Sequence, residues 1–167
     1  ELNAAIVLDN LTSQSKGTGT FRKNDHGYGI SISKNFNLID GIIDSNEPYS
    51  DYLYGEVGAF YNYYNNNINQ SYGPYYSFGY GYKKANVYAS SGYVVTKLNY
   101  QEGNNNLQSI SEGSGFIGGG IAYRLTSNLK LKFDAMNYNI NFKASNSTYS
   151  KVRINLTSYT TTLSIYF

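Results

Sequence analysis

The sequence has no cysteine and no tryptophan, and only one methionine, one histidine and two prolines in 167 residues. Without cysteine there can be no disulfide, no thiol catalysis, no Cys-ligated zinc and no iron–sulfur cluster. A single histidine cannot build a multi-histidine metal site. Charge is also scarce: 14% of residues are Asp, Glu, Lys or Arg, and 13 basic against 11 acidic side chains leave a net +2. That is far from the clustered basic stripe nucleic-acid binding requires, so no nucleic-acid partner is expected. No stretch approaches the ~18 consecutive apolar residues of a transmembrane helix. Glu1-Leu2-Asn3 opens no basic segment followed by an apolar one, so the expectation is either a soluble protein or one whose signal peptide is gone. What the chain does have is 20 tyrosines, 8 phenylalanines and 17 glycines, at a mean hydropathy of −0.45. Such a composition is too aromatic for a disordered chain. The length suits one domain over residues 1–167, folded on aromatic rings and glycine.

Period-two alternation is the dominant pattern, clearest at the C-terminus. Tyr159, Thr161, Leu163, Ile165 and Phe167 share one face and Ser158, Thr160, Thr162, Ser164 and Tyr166 the other. Leu129, Leu131, Phe133 and Ala135 alternate with Lys130, Lys132 and Asp134. Ile117, Gly119, Ile121, Tyr123 and Leu125 alternate with Gly118, Gly120, Ala122 and Arg124. Between these two strands Thr126-Ser127-Asn128 reads as a hairpin turn. Further strands are expected at about 86–100, 72–82, 52–64, 26–34 and 2–11, giving eight. The apolar face shifts to Met136, Tyr138, Ile140 and Phe142, and shifts again near Thr157, where bulges are expected. In 86–100 either face can be the apolar one. Val87, Ala89, Tyr93 and Val95 compete with Tyr88, Val94, Leu98 and Tyr100.

The connections alternate in length, short at 83–85 and 126–128 and long at 12–25, 65–71, 101–113 and 144–150, with 35–51 as the exception. That segment has enough apolar residues for an extra strand edge or a loop packed on the end of the fold. Antiparallel strands of about 10 residues with short turns at one end and long loops at the other are what a membrane barrel needs. In hydrocarbon every backbone polar group must be paired internally, so a sheet can span only when closed. Tyrosine rings suit the lipid–water interface. Two girdles are expected, one of Tyr80, Tyr82, Tyr123 and Phe167 at the short-turn end and one of Tyr61, Tyr63, Tyr72, Tyr138 and Phe142 at the other. The competing architecture is a soluble, lipocalin-like barrel, against which the loop asymmetry counts. The fold class read from the pattern is therefore all-β, an eight-stranded antiparallel up-and-down barrel.

Two segments resemble a known class. Gly118-Gly119-Gly120-Ile121-Ala122-Tyr123-Arg124-Leu125-Thr126-Ser127-Asn128-Leu129-Lys130-Leu131-Lys132 is similar to the glycine-rich strand, turn and charged strand of the small eight-stranded outer-membrane β-barrels, the class of the OmpA transmembrane domain, OmpX and Ail. The terminal Leu163-Ser164-Ile165-Tyr166-Phe167 is similar to the aromatic-ended strand that the outer-membrane assembly machinery reads in such proteins. The resemblance implies a monomer in a Gram-negative outer membrane, with Tyr159, Leu163, Ile165 and Phe167 as the assembly signal. It also implies surface work of the adhesion or host-factor-binding kind, with envelope integrity or a narrow ion channel as alternatives. Two lipid A-modifying enzyme families share the architecture, and the deacylase carries a His-x-Ser-Asn motif. Here the residues are His26-Gly27-Tyr28-Gly29. Asp25 and His26 are adjacent, but a triad needs a nucleophile and an oriented base converging on one point, so no catalytic residue and no cofactor is assigned.

Inward glycines in a narrow barrel make room for long side chains. Arg124, Lys130, Lys132 and Asp134 share the inward phase around the 126–128 turn, and Glu56 is expected to face them, so that a lumenal network of acid and base pairs fills the barrel. A filled plug is favoured over an open pore. At the long-loop end Lys16, Arg22 and Lys23 lie in one loop and Lys143, Lys151 and Arg153 in another, joined in space if the last strand pairs with the first. This basic crown suits the phosphates of lipopolysaccharide, an acidic host glycan or a host surface protein. The alternative reading is that these are ordinary strand-end lysines that solubilise the loops.

Overall fold

The computed structural model describes the backbone of residues 2–16, 21–40, 51–65, 68–100, 108–142 and 152–167, with side chains over 4–9, 25–39, 51–65, 68, 70–97, 111–141 and 154–167. The strands are β1 (Leu2–Lys16), β2 (Phe21–Asp40), β3 (Asp51–Tyr64), β4 (Ile68–Tyr82), β5 (Ala85–Tyr100), β6 (Gln108–Arg124), β7 (Leu129–Phe142) and β8 (Val152–Tyr166). Each pairs antiparallel with its sequence neighbours, and β8 pairs with β1, so the sheet closes as expected. A path along directly opposed residues runs Asn3, Ser33, Gly58, Tyr75, Gly92, Phe116, Tyr138, Leu156 and back to β1 at Ser13. It returns ten positions along the strand, from Asn3 to Ser13. With eight strands, that stagger tilts each strand by roughly 40° to the axis and leaves an interior that side chains can fill.

The strands are longer than the alternation alone suggested. Residues 12–16, 21–25, 68–71 and 108–113 belong to ladders, so much of what reads as loop is strand rising above the apolar belt. Residues 35–40 continue β2 against β3 rather than forming a separate edge, with a register shift between Asn37 and Ile39; residues 41–50 lie outside the described residues. The second shift falls between Ile68 and Gln70. No shift occurs at 135–137 or at Thr157, where β6–β7, β7–β8 and β1–β8 pair in unbroken register. The expected bulges are therefore absent. β7 keeps its alternation, and it is the lumen that changes character: Met136, Tyr138 and Ile140 continue the inward phase of Lys132 and Asp134 into an apolar layer.

Alternation sorts every strand into an outward-facing and a lumenal row. Ile6, Leu8, Ile30, Ile32, Val57, Phe78, Val87, Ile117, Ile121, Phe133, Leu163 and Ile165 are exposed on the outside. In β5 the outer row is Val87, Ala89 and Tyr93, while Tyr88 and Val94 are buried inside. Tyr61 and Tyr72 stack with centroids 6.2 Å apart and Tyr28 lies 5.7 Å from Tyr63, which with Tyr93 and Tyr159 makes an upper ring of tyrosines. Tyr82, Tyr123 and Phe167 form the lower one, with Tyr80 half-buried beside them. Tyr138 is not a girdle residue: it is 4% exposed and packs in the lumen. The side chain of Phe142 lies outside those described.

Candidate functional site: a filled lumen and a basic rim

The lumen is layered. Toward the end bearing 17–20, 65–67, 101–107 and 143–151, Tyr64, Ile68, Val94, Phe116, Tyr138, Ile140 and Leu156 form a buried apolar layer. At the other end Tyr54, Tyr88 and Ala122 form a smaller one, with Tyr52 against it. Large rings fit because glycines stand opposite them. A Cβ on Gly27 would lie 2.5 Å from Tyr64 Cδ1, and one on Gly58 would lie 2.8 Å from Tyr75 Cε1.

Between the layers sits the charged group. Lys132 Nζ donates to Glu56 Oε1 at 3.0 Å and Oε2 at 3.2 Å, and Tyr75 Oη donates to Glu56 Oε1 at 2.6 Å. The Lys132 ammonium also lies 5.0 Å from the Tyr88 ring centroid. Asp134 accepts from Tyr88 Oη and, at 3.2 Å, from Thr160 Oγ1. Lys130, 2% exposed, lies between the Tyr54 and Tyr166 rings, at 5.4 and 5.3 Å from their centroids. Each ammonium thus meets a carboxylate, an aromatic face or both, which is how a charge persists out of water. A cavity of about 50 Å³ adjoins Lys132 and Asp134. Asn62 and Ser77, whose Oδ1 and Oγ have no hydrogen-bond partner among the described residues, also line it, beside the apolar Val7, Phe60 and Phe116.

The sequence grouped Glu56, Arg124, Lys130, Lys132 and Asp134. The structure brings Glu56 and Lys132 into contact, places Lys130 and Asp134 on the same inward row, and leaves Arg124 at the end of β6. Among the described residues Arg124 forms no ion pair, and its backbone N–H donates to the Lys84 carbonyl at 2.8 Å across the two adjacent turns.

Sequence reasoning missed Asp9. It is 2% exposed and accepts from Tyr64 Oη at 2.6 Å, Asn62 Nδ2 at 2.8 Å and Ser158 Oγ at 2.7 Å. The signal was available, because Asp9 is a charge in the phase opposite Ile6 and Leu8. His26 and Asp25 separate by the same rule. Asp25 is buried inside and His26 exposed outside, so the two do not form a dyad.

At the rim, Lys16 is directly opposite Arg153 on the β1–β8 seam, while Arg22 and Lys23 stand opposite Gln14 and Ser13 across β1–β2. Their side chains lie outside those described, as do Lys143 and Lys151 altogether. Glu112 lies in β6, opposite Thr96; Glu102 lies outside the described residues. In β8 Tyr159, Leu163 and Ile165 form one outward row, continued just past the strand by Phe167, which is 78% exposed.

No protein-family model and no curated protein matches the sequence. Among solved structures the chain is similar to the Neisserial surface protein A (NspA), with 10% identity, 99% of this chain and 97% of that one covered, and a TM-score of 0.61. It is also similar to the attachment invasion locus protein Ail of Yersinia pestis, solved with the heparin analogue sucrose octasulfate (14%, 98% and 99%, TM-score 0.44). A third likeness is to the outer membrane enzyme PagL (15%, 96% and 99%, TM-score 0.44). A shared fold does not fix a function, since one fold serves many. Closed ring, ten-residue stagger, apolar exterior and near-complete alignment with NspA agree: the chain has the fold of the small eight-stranded outer-membrane β-barrels.

Proposed function

We propose that the chain is a barrel domain of a bacterial outer membrane, acting as a monomer by binding anionic surfaces at its rim. The short turns 83–84 and 125–128 face the periplasm, and the rim of 17–20, 65–67, 101–107 and 143–151 faces outward. The observation that carries the reading is the register at the seam. Lys16 against Arg153, with Arg22 and Lys23 one strand over, puts four cationic positions on three adjacent strands at one end. Lys143 and Lys151 lie in the connection that leads into the same β8. The lumen supports it from the other side, because buried rings and the Glu56–Lys132 pair occupy the space a conducting path would need. The anionic group is the phosphate of lipopolysaccharide or the sulfate and carboxylate of a host glycan or surface protein. The outward row Tyr159, Leu163, Ile165 and Phe167 is the element that engages the assembly machinery.

Attraction among exposed charges weakens as salt shortens the Debye length to ~8 Å and below. Changing Lys16, Arg22 and Lys23 to Glu is expected to lower binding to immobilised heparin by at least about tenfold, since each cation near an anionic surface contributes ~1 kcal/mol. Mobility differences between boiled and unboiled samples report that the barrel is intact. Unchanged, salt-insensitive binding by the charge-reversed protein would refute the electrostatic reading and move attention to the Asn- and Tyr-rich connections.

A further inference from the structure

Among the described side chains, Lys34 is the one charged group on the lipid-facing belt between the two aromatic rings. It lies on the outer row of β2 between Ile32 and Phe36, opposite Leu2 and Val57, in the half of the barrel that carries the short turns. An ammonium on a hydrocarbon-facing wall is costly unless its stem runs along apolar surface to a headgroup. The wall around it is shaped. On one side a trough is lined by Ala4, Ile6, Ile30, Leu163 and Ile165. On the other a second trough is lined by Val57, Pro74, Tyr76, Ser91 and Tyr93, with Lys34 itself part of its wall. Ile32 and Ala59 belong to both. Both are open along the outer wall, with mostly apolar lining residues.

We infer that this wall holds one anionic diacyl glycerophospholipid of the periplasmic leaflet, an acyl chain in each trough and the phosphate on Lys34. Two apolar channels meeting beside a single cation match a ligand with two chains and one charged head. A second copy of the barrel fits less well. A two-fold contact is self-complementary, so a contact centred on this face sets one Lys34 against the other where little solvent screens them. The inference rests on the outer-membrane reading, which fixes the leaflet, and is independent of the rim.

The test is lipid retention on the detergent-purified full chain, read by native mass spectrometry after adding phosphatidylglycerol, phosphatidylcholine of the same chains, or lipid A. Wild type is expected to keep one phosphatidylglycerol roughly fivefold over phosphatidylcholine, the size of one lysine–anionic headgroup contact. Lys34→Gln should bring that ratio close to one, and Ala59→Phe, which fills the shared floor, should lower retention of both phospholipids. Lys34 is exposed, so its variant keeps the fold, and the boiled/unboiled mobility shift verifies this for both. Equal retention by wild type, an unchanged preference in Lys34→Gln, or unaffected retention in Ala59→Phe would overturn the inference. So would preferential capture of lipid A, which comes from the other leaflet, or a barrel dimer in place of bound lipid. Loss of the mobility shift in wild type would instead overturn the membrane reading itself.

Discussion

Replacing Lys132 with Met removes the ammonium that Glu56 holds at 3.0 and 3.2 Å while keeping an unbranched chain of similar length in the lumen. Two unit charges at 3.0 Å attract by about 5 kcal/mol at an effective dielectric of ~20. Removing one member of a buried pair generally costs ~3–5 kcal/mol because its partner is left uncompensated. Here Glu56 would keep the Tyr75 hydroxyl at 2.6 Å and the attraction of the Lys130 ammonium, but no ion pair among the described residues, so a loss of about 3–4 kcal/mol is expected. Glu56→Gln should cost less, since Lys132 still shares its cavity with Asp134. The double variant should lie within about 2 kcal/mol of wild type, because removing both charges also removes their desolvation. The assay is urea unfolding of the vesicle-inserted barrel, followed by far-ultraviolet circular dichroism and gel mobility, since there is no tryptophan to report. A Lys132→Met loss below about 1 kcal/mol, or a double variant as unstable as the sum of the singles, would refute the claim that this pair holds the middle of the lumen.

Planar-bilayer recordings should show wild type and Arg124→Ala closed, because Arg124 forms no ion pair with the described residues, while Lys132→Met admits a leak; a large steady conductance in wild type would contradict the plug. Gly27→Ala puts a Cβ 2.5 Å from Tyr64 Cδ1 and should destabilise the barrel by about 1–3 kcal/mol, measured by the same urea titration; an unchanged midpoint would count against tight packing there. Deleting Phe167 removes an exposed girdle ring and the end of the outward row on β8, so surface levels of the protein should fall, as read by cell fractionation; normal levels would argue against a role in assembly.

Legibility in the sequence followed how sharply the two faces of each strand differ. Along Tyr159–Phe167 and Leu129–Asp134 one row is apolar and the other polar, and both phases could be read directly. In β5 both rows carry apolar groups, because Val94 packs in the upper lumenal layer while Val87 and Tyr93 face outward. The same layer produced the mistaken bulge in β7. Met136, Tyr138 and Ile140 look like a change of face only if the interior is assumed polar throughout. Which charges meet was beyond the pattern as well. Glu56 and Lys132 are 76 positions apart, and it is the tilt of the strands, a property of closure, that brings them level while leaving Arg124 at the turn. Strand ends were underestimated for a local reason, since Gly, Ser and Asn near the rim carry turn propensity that ladder pairing overrides.

The position of Asp9 has a kinetic consequence. Its carboxylate ties β1 to β3 through Asn62 and Tyr64 and to β8 through Ser158, the last of these 149 positions away. The ladder from Asn3–Tyr166 to Lys16–Arg153 joins the first strand to the last, and the entropy of closing so long a loop favours its forming late. Until then β1 and β8 each present an open row of amides and carbonyls, which hydrocarbon does not solvate. In the membrane setting proposed above, a seven-stranded sheet is thus no resting place. Closure of the first strand on the last is the committing event, and Asp9 lies on the lumenal side of that seam, where partners from both flanks reach it only once the ring is complete.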